Sequence, residues 1–312
     1  MKAIVMIDYG TPDVLQEQEI AKPELKETEA LVEVFATTVN SGDHLILSGA
    51  FRDIIPLRFP HILGIEIAGV VREVGANVTH VKQGDRVIGL AATGGGYADY
   101  AVVEEKGLTV IPSTLSFEET VALPAVGLTA WQALFPYGQL QPGQRILIHA
   151  GAGAVGHLAV QLAKQHGAYV IATARAENHE FVRQLGADEV IDYATTDFGE
   201  TVRPVDIVLD MVRDGGDTER KSYTVLKEGG KLLSLVSPAI DRNPRTRGIE
   251  ARFVRVEPNR SDWLSLIRQV QDQQLKVHID RIFPFNAEGI AEAHRASGTG
   301  GKKGQLLIAR DR

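Results

Sequence analysis

Six consecutive small residues near the middle of the chain have the types and spacing that could bind a dinucleotide. They are Gly151, Ala152, Gly153, Ala154, Val155 and Gly156, directly after an apolar run over residues 146–150. Apolar residues then recur at positions 155, 158, 159, 162 and 163, as on one face of a helix, and Gly167 is placed to end that helix. A second apolar run at 169–174 completes a strand–helix–strand unit, which predicts a dinucleotide-binding turn.

The glycines of this turn are needed for the chemistry of phosphate binding. A pyrophosphate must approach backbone N–H groups at the start of a helix, where unpaired donors and the helix dipole favour anions. A Cβ at Gly151 or Gly153 would obstruct the turn or the approach of the ligand, and one at Gly156 would push the helix off the strand. We therefore predict that the six residues form the cofactor-binding turn. The alternative is a tight strand-to-helix turn that binds no ligand.

Composition limits the classes of function. The chain has 312 residues, enough for two domains, and its net charge of −7 argues against nucleic acid or an anionic membrane as the main partner. There is no cysteine, which excludes disulfides, thiolate nucleophiles and cysteine-ligated metals. No run of about 18 apolar residues is present, and residues 1–10 resemble a strand and turn rather than a signal peptide. We expect a cytoplasmic protein.

The elements around the turn fall into two groups. Residues 1–115 are predicted to be β-rich without a strong helix period, with strands at 2–7, 29–39, 67–73, 85–90 and 97–103. Ser116 then starts a helical stretch that leads into a second helix at 127–134. After residue 175, strands are predicted at 189–192, 205–212 and 231–236, between helices at 178–185 and 217–226. This alternation predicts a doubly wound parallel sheet, that is, an α/β fold.

The last part of the chain has too few elements to form a domain. A strand at 251–256 is expected at the sheet edge, followed by a helix at 261–271, a strand at 279–283, a helix from Asn286 and a strand at 305–309. We infer that this segment returns to the first domain. The predicted domains are residues 1–117 with 256–312, and residues 118–255.

Eight short motifs in a fixed order carry a family resemblance. They lie at residues 39–43, 64–69, 84–87, 95–100, 123–130, 150–156, 185–188 and 229–231, and include Val-Asn-Ser-Gly-Asp and Gly-Ile-Glu-Ile-Ala-Gly. The series resembles the medium-chain dehydrogenase/reductase superfamily, in its zinc-independent, quinone oxidoreductase-like (zeta-crystallin-like) branch, along essentially the whole chain. The resemblance implies a GroES-like β-barrel domain plus a Rossmann domain, with the cofactor between them. It also implies a homodimer, for which the 251–256 edge is a candidate.

The departures from the family pattern concern the metal. In the zinc-dependent alcohol dehydrogenases the second motif begins Gly-His-Glu, whereas this chain has the aliphatic Ile65, which cannot ligate a metal. The cysteine ligands of that family are absent, and none of the nine histidines has a metal-binding spacing. We predict no metal site. Glu66 keeps the acidic position of the motif and is expected to be a buried hydrogen-bonding partner.

The end of the second Rossmann strand predicts the coenzyme. Arg175 lies nineteen residues after Gly156, and residues 173–175 contain no carboxylate. A guanidinium suits the 2′-phosphate of NADPH, although the nearby Glu177 could instead reach the ribose or repel the phosphate. The alternative for Arg175 is a solvated surface side chain. The resemblance implies that Asn178 binds phosphate, that Tyr193 flanks the adenosine phosphate or packs at a strand end, and that Thr129 lies on the nicotinamide side.

The resemblance also implies catalytic residues. Asn40 and Asp43 match the motif that lines the nicotinamide cleft in relatives, so Asn40 could donate to the substrate oxygen or to the ribose. The alternative for these residues, for Asp43 more than for Asn40, is an Asx turn between strand and helix. Relatives often have a tyrosine shortly after this motif, where this chain has Leu45 and Phe51. They also often have Gly-Lys where this chain has Gly304 and Gln305.

Without zinc, the acceptor must be polarised by N–H groups, hydroxyls, amides or the cofactor ribose. Quinones and enones need less polarisation than simple ketones, because hydride adds at a conjugated carbon and the charge spreads to oxygen. We therefore predict an NADPH-dependent reductase of quinones or α,β-unsaturated carbonyls. The alternative is an NADPH-binding, crystallin-like or regulatory protein without turnover. A zinc alcohol dehydrogenase would require stoichiometric zinc.

Overall fold

The computed structural model describes residues 1–240 and 247–310, in two units. The first unit is Met1–Leu128 with Pro258–Arg312, and the second is Thr129–Glu257. The predicted boundaries were after residues 117 and 255. Among the described residues, no helix combines the length and the apolar content needed to cross a membrane.

The elements of the described residues are numbered in chain order. The strands are β1 (Lys2–Met6), β2 (Leu15–Glu19), β3 (Glu29–Thr38), β4 (His61–Ile62), β5 (Glu66–Val74), β6 (Arg86–Leu90), β7 (Tyr100–Glu104), β8 (Leu108–Val110), β9 (Arg145–Ile148), β10 (Tyr169–Ala174), β11 (Glu189–Asp192), β12 (Val205–Asp210), β13 (Leu226–Ser234), β14 (Glu250–Phe253), β15 (Ile279–Pro284) and β16 (Gln305–Ala309). The α-helices are α1 (Ser41–Leu47), α2 (Phe117–Thr120), α3 (Leu128–Gln132), α4 (Ala154–Gln165), α5 (His179–Gln184), α6 (Phe198–Thr201), α7 (Asp217–Val225), α8 (Arg260–Gln271) and α9 (Ala287–Thr299).

The first unit is built on β-sheets. A seven-stranded sheet has the order β15-β16-β3-β5-β6-β8, with β7 paired to β3, and β2-β1-β4 form a smaller sheet. All of these pairs are antiparallel except β15 with β16. Buried aliphatic side chains such as Val34 and Ile67 fill the space inside, each stabilising the fold by about 1.5–3 kcal/mol. Strands β3 and β5 approach so closely that a Cβ on Gly69 would lie 1.9 Å from the Glu33 carbonyl oxygen.

The C-terminal segment supplies α8, β15, α9 and β16 to this first unit. Strand β16 pairs antiparallel with the end of β3, where Leu307 is opposite Thr38. This pairing places Gln305, the first residue of β16, near Asn40, the second residue after β3. The end of the chain therefore contributes directly to the surroundings of the 39–43 motif.

Two helical regions differ from the sequence prediction. Helix α1 was anticipated only as the helix after the alternative Asx turn, and its limits were not predicted, because it has only seven residues, includes Gly42, and buries only Asp43 and Leu47, too few for a visible helical period. The predicted helix at 127–134 is instead α3 between two π-helical turns, Leu123–Gly127 and Ala133–Tyr137. Each π-helical turn contains a proline, which has no N–H for a regular helical ladder.

The second unit is a parallel six-stranded sheet with the order β11-β10-β9-β12-β13-β14. This is the strand order of a Rossmann fold, in which successive strands are added to one side of β9 and then, from β12 onward, to the other side. Strands β9, β10 and β12 are almost entirely buried, which explains why they are apolar runs in the sequence. The two sheet architectures confirm the predicted fold class.

Candidate active site

The glycine turn lies at the carboxyl end of β9, at the point where the strand order reverses. A Cβ on Gly156 would lie 2.2 Å from the carbonyl oxygen of Ala150, and one on Gly151 would lie 2.8 Å from the Cβ of Ala172 on β10. A Cβ on Gly153 would have only the Ala150 oxygen within 4 Å, at 3.2 Å. Internal packing therefore demands glycine at 151 and 156, whereas the space beside the Gly153 backbone is mostly open.

The first turn of α4 has the properties of an anion site. Its N-cap residue is Gly153, no side chain caps it, and it has no acidic residue in its first turn. The helix has twelve residues, so its positive end carries the full effect of the aligned peptide dipoles. The N–H groups of Ala154, Val155 and Gly156 belong to this first turn. These residues fit the pyrophosphate of a dinucleotide.

Buried polar side chains fix the start of the turn. Ala150 has a φ of 52°, a left-handed conformation that costs energy for a residue with a Cβ. Its N–H donates to Thr173 Oγ1 at 3.2 Å, and the Gly151 N–H donates to the Thr173 carbonyl oxygen at 2.9 Å. His149 lies 3.3 Å through Nδ1 from Thr173 Oγ1 and 3.2 Å through Nε2 from Ser222 Oγ.

Burial determines the protonation state of His149, and the hydrogen-bond network determines which ring nitrogen carries the hydrogen. Burial lowers the pKa of this imidazole to about 3, so it is neutral at ordinary pH. Because Ser222 Oγ already donates to the Thr218 carbonyl, it must accept from His149 Nε2–H. Nδ1 is then free to accept from the Thr173 hydroxyl. His149 is thus a core residue that braces the turn.

Arg175 and Tyr193 are brought together at the carboxyl ends of β10 and β11. The Arg175 Nε donates to the Tyr193 hydroxyl at 2.9 Å, and the Tyr193 side chain is 51% exposed. Arg175 is also exposed, and Glu177 next to it raises the pKa of the guanidinium only as a minor effect behind Tyr193. The pair presents a fixed positive charge and an aromatic ring where the chain was expected to meet an adenosine phosphate.

The other two expected cofactor residues are less accessible. Asn178 is 3% exposed, and its N–H donates to the Arg175 carbonyl oxygen at 2.8 Å within a short 3₁₀ turn. Thr129 is half-buried in α3. Their roles toward a coenzyme stay predictions.

In the first unit, the Asn40 side chain is fully engaged by protein groups. Its Nδ2 donates to Glu66 Oε2 at 2.8 Å and to Thr38 Oγ1 at 3.0 Å, which uses both amide hydrogens. Its Oδ1 accepts from Gln305 Nε2 at 2.8 Å. In this arrangement both amide hydrogens are used within the protein, and none is left for a substrate oxygen. The role of Asn40 as a donor to the substrate stays a prediction.

Glu66 is the centre of this buried network. Its Oε2 accepts from the Thr38 hydroxyl at 2.6 Å as well as from Asn40, and its Oε1 accepts the N–H groups of Ala125 and Val126 at 2.7 and 3.1 Å. Burial raises the pKa of Glu66, while these hydrogen bonds act in the opposite direction. Four donors around one carboxylate occupy all of its acceptor positions. Glu66 is therefore a buried hydrogen-bonding partner, as the sequence led us to expect.

Asp43 shapes the start of α1. It is 2% exposed, and its Oδ2 accepts the Asn40 N–H at 2.9 Å, three residues earlier in the chain. Burial is the main reason that the pKa of Asp43 rises to about 7, and the nearby Glu66 carboxylate adds to the rise. The N–H groups of Asn40 and Gly64 oppose it. This contact is one half of a capping box at the start of α1, and the catalytic role expected for Asp43 stays a prediction.

The described residues contain no group of three or more histidine, cysteine, aspartate or glutamate side chains that could hold a metal ion. Ile65 occupies the position of the family's histidine and brings no ligand atom. Gln305 was noted in the sequence only as a departure from relatives, and its contact with Asn40 was not predicted. No local signal could have shown it, since the two residues are 265 positions apart.

The second unit, a Rossmann sheet with an uncapped glycine turn, and the first unit, built of GroES-like and mostly antiparallel sheets, define the class of medium-chain dehydrogenases/reductases. Two family models match: the alcohol dehydrogenase GroES-like domain at residues 26–113, and the zinc-binding dehydrogenase domain at residues 185–308.

Curated relatives agree with this class. The chain is 40% identical to a chloroplastic quinone-oxidoreductase homolog of Spinacia oleracea, over 75% of this chain and 74% of the relative. It is 35% identical to a chloroplastic NADPH-dependent alkenal/one oxidoreductase of Arabidopsis thaliana, over 99% of this chain and 79% of the relative.

Solved structures have the same architecture. A quinone oxidoreductase from Coxiella burnetii superposes with a TM-score of 0.92 at 34% identity, covering 99% of both chains. The Escherichia coli quinone oxidoreductase complexed with NADPH superposes with a TM-score of 0.88 at 27% identity, covering 99% of this chain and 100% of that one. The chain belongs to the quinone oxidoreductase family of medium-chain dehydrogenases/reductases, and the predicted family resemblance is confirmed.

Proposed function

We propose that this protein is an NADPH-dependent oxidoreductase that transfers hydride to quinones or α,β-unsaturated carbonyls without zinc. The observation that carries the proposal is the Arg175–Tyr193 pair at the carboxyl end of β10. The uncapped glycine turn lies at the carboxyl end of the neighbouring strand β9. The relatives named as quinone and NADPH-dependent alkenal/one oxidoreductases support the reaction type.

Phosphate recognition is assigned to two places in the second unit. The first-turn N–H groups of α4 would hold the pyrophosphate, and the exposed Arg175 guanidinium would hold the 2′-phosphate, with its Nε fixed by Tyr193. A charge-assisted hydrogen bond stabilises by about 1.5–3 kcal/mol, which corresponds to roughly ten- to hundredfold in affinity for NADPH over NADH. The E. coli structure with bound NADPH supports the same coenzyme.

Bound NADPH supplies the hydride, and the chain supplies orientation. The Asn40 amide points to Glu66 and Thr38, so the protein offers little direct polarisation of a substrate oxygen from this side chain. An acceptor that spreads the incoming charge over a conjugated system needs the least help. Because Ile65 and the lack of cysteine remove the family's zinc ligands, activation by a tightly held zinc ion is not part of the proposal. Asn40 and Asp43 are proposed to position the site.

The reaction class is tested with matched acceptors. NADPH oxidation is followed with a benzoquinone, with an enone, and with the saturated ketone that has the same carbon skeleton. We expect turnover with the quinone or the enone, slow or no turnover with the saturated ketone, and no effect of prolonged treatment with a chelator. Tight NADPH binding without oxidation of any acceptor would instead support a crystallin-like binding protein. Activity that is lost with the chelator and restored by zinc would contradict the proposal.

The coenzyme is tested with Arg175→Asp, which puts a carboxylate where the 2′-phosphate would lie. We expect NADPH affinity to fall at least about tenfold while NADH affinity stays within about threefold. The control is Arg203→Asp, the same exchange at an exposed arginine just before β12. This arginine lies at the amino-terminal end of the parallel strands, away from the glycine turn. Equal NADPH affinity in both variants and the parent would remove the coenzyme assignment.

A homodimer through the β14 edge is part of the proposal. Strand β14 is the last strand of the six-stranded sheet among the described residues, and an edge strand can pair with the same strand of a second copy. Light scattering on the parent and on an Ala251→Pro variant tests it. A dimeric parent and a monomeric, folded variant are expected, whereas a monomeric parent would contradict the dimer.

A further inference from the structure

The starting observation is a buried glutamine that contacts Asn40 from the far end of the chain. Gln305 is the first residue of β16 and has no solvent exposure. Its Nε2 donates to Asn40 Oδ1 at 2.8 Å, while its own Oε1 is buried and has no hydrogen-bond partner among the described residues. A buried carbonyl without a hydrogen-bond partner lowers the stability of a protein. Gln305 therefore makes its Nε2 contact with Asn40 in a position that is unfavourable for its Oε1.

The Gln305 contact acts on the orientation of the Asn40 amide together with Glu66. A carboxamide has its acceptor and its two donors at opposite ends, and a half-turn exchanges them. Gln305 offers a donor to one end of Asn40, and Glu66 offers an acceptor to the other. Both neighbours therefore select the same orientation, in which Nδ2 faces Glu66.

The orientation of Asn40 in turn affects Glu66. With Asn40 as a donor, Glu66 Oε2 has two donors and Oε1 is left to hold the N–H groups of Ala125 and Val126. These two residues belong to the π-helical turn Leu123–Gly127, which is followed in the chain by α3. A line of hydrogen bonds thus connects β16, the start of α1, β5 and this turn, all within the first unit.

We propose that Gln305 is a positioning residue: by donating to Asn40 it orients the amide toward Glu66, and so fixes the Glu66 carboxylate against the Leu123–Gly127 turn. The proposal has a structural part, which stands alone. Its kinetic part, that loss of this orientation lowers kcat, rests on the proposed NADPH-dependent reduction. If residue 305 only filled space, a side chain of the same size without an N–H donor would serve equally well.

The test uses two substitutions that differ in donor capacity. Gln305→Glu keeps the shape but, as a carboxylate, replaces the donor by an acceptor and so opposes the present orientation of the Asn40 amide toward Glu66. Gln305→Lys supplies a donor again, the residue type that many relatives have here. Gln16→Glu, an exposed glutamine on β2 in the same unit, is the matched control.

Hydrogen exchange of the full-length protein measures the structural part without any coenzyme. In the peptide over residues 123–128, Gln305→Glu is expected to raise the exchange rate of the Glu66-bound amides about tenfold, the equivalent of one lost hydrogen bond. Gln305→Lys and Gln16→Glu are expected to exchange as the parent does. Circular dichroism establishes that each variant is folded, and Gln305→Met, which has no donor, replaces Gln305→Glu if that variant fails to fold.

Steady-state kinetics measure the functional part. We expect kcat to fall about tenfold in Gln305→Glu, with KM for NADPH within about twofold, and Gln305→Lys to recover it. Faster exchange in a protein that turns over no acceptor at all would support the positioning role and contradict the proposed function. Parent-like exchange in the folded donor-free variant would overturn the positioning role, as would equal exchange in Gln305→Glu and Gln305→Lys.

Discussion

Asn40 Nδ2 lies 2.8 Å from Glu66 Oε2, and the pair links the N-cap residue of α1 to the first residue of β5 in the interior of the first unit. Glu66 has no solvent exposure and receives four hydrogen bonds. In zinc-dependent members the equivalent acidic position adjoins a metal-binding histidine. Here the carboxylate holds backbone and side-chain donors, so the position has a structural task without a metal.

Replacing Glu66 by glutamine is expected to destabilise the first unit. The new Nε2 would face two donors that now meet a carboxylate oxygen, and buried hydrogen bonds to a charged group contribute about 1.5–3 kcal/mol each. We expect a loss of about 3 kcal/mol in the free energy of unfolding, measured by urea titration. Glu73→Gln, at an exposed position of the same strand, should change it by less than about 0.5 kcal/mol. Equal stability of both variants would refute the assigned role.

Gly156→Ala is expected to disrupt the start of α4. The added Cβ would lie 2.2 Å from the Ala150 carbonyl oxygen, a contact that only a shift of backbone can relieve. We expect a loss of about 3 kcal/mol or more in stability and weaker coenzyme binding, measured by thermal unfolding and calorimetry. Gly42→Ala is the control, since a Cβ there has nothing within 4 Å and alanine favours a helix. That variant should be as stable as the parent or more stable.

Most elements of the second unit could be predicted because parallel strands covered on both faces are continuous apolar runs. Strand β11 and, in the first unit, β16 have the predicted limits, and α8 begins one residue earlier than predicted. The limits of helix α1 could not be predicted, since a seven-residue helix with two buried side chains leaves no periodic pattern. The π-helical turns also escaped, because the sequence shows a proline but not the hydrogen bonds that replace the regular ladder.

Some features of the candidate site could likewise be predicted from the sequence, and others could not. The steric need for Gly151 and Gly156 follows from local geometry and was anticipated. The contacts of Asn40 depend on residues 26 and 265 positions away, which pair only after the sheet has formed. A sequence identifies such residues singly, whereas the partner that decides whether an amide faces a substrate or the interior is set by the tertiary fold.

Tyr193→Phe is expected to weaken NADPH binding without affecting NADH. The hydroxyl accepts from Arg175 Nε at 2.9 Å, and its loss frees a surface guanidinium to adopt other rotamers. Because the pair is solvent-exposed, the effect should be small, about two- to fivefold in the dissociation constant. Fluorescence titration of the reduced coenzymes measures it. Tyr169→Phe, at the other end of β10, is the control, and a parent-like NADPH constant in Tyr193→Phe would separate the ring from coenzyme selection.

His149 predicts a loss of stability in acid. Burial lowers the pKa of the folded imidazole to about 3 from an ordinary value of 6.5, so the unfolded chain binds a proton in this interval that the folded chain does not. The His149 contribution is complete above pH 6.5 and is lost as the pH falls, by about 1.4 kcal/mol per pH unit. Urea titrations between pH 4 and 7 should show a shallower dependence in His149→Gln. The exposed control His80→Gln should keep the parent slope.

Asp43 predicts a pH dependence of the opposite sign. Its folded pKa is about 7 against an ordinary 3.8, so between these values the folded chain binds a proton that the unfolded chain releases. Its contribution is therefore greatest in acid and is lost as the pH rises from about 4 to 7, by about 1.4 kcal/mol per pH unit. Asp43→Asn removes this loss, whereas Asp53→Asn, an exposed carboxylate of the same unit, does not. In a Trp131→Phe background, the fluorescence of the buried Trp263 follows unfolding of the first unit. An unchanged pH slope in Asp43→Asn would mean that the folded protein keeps Asp43 ionised.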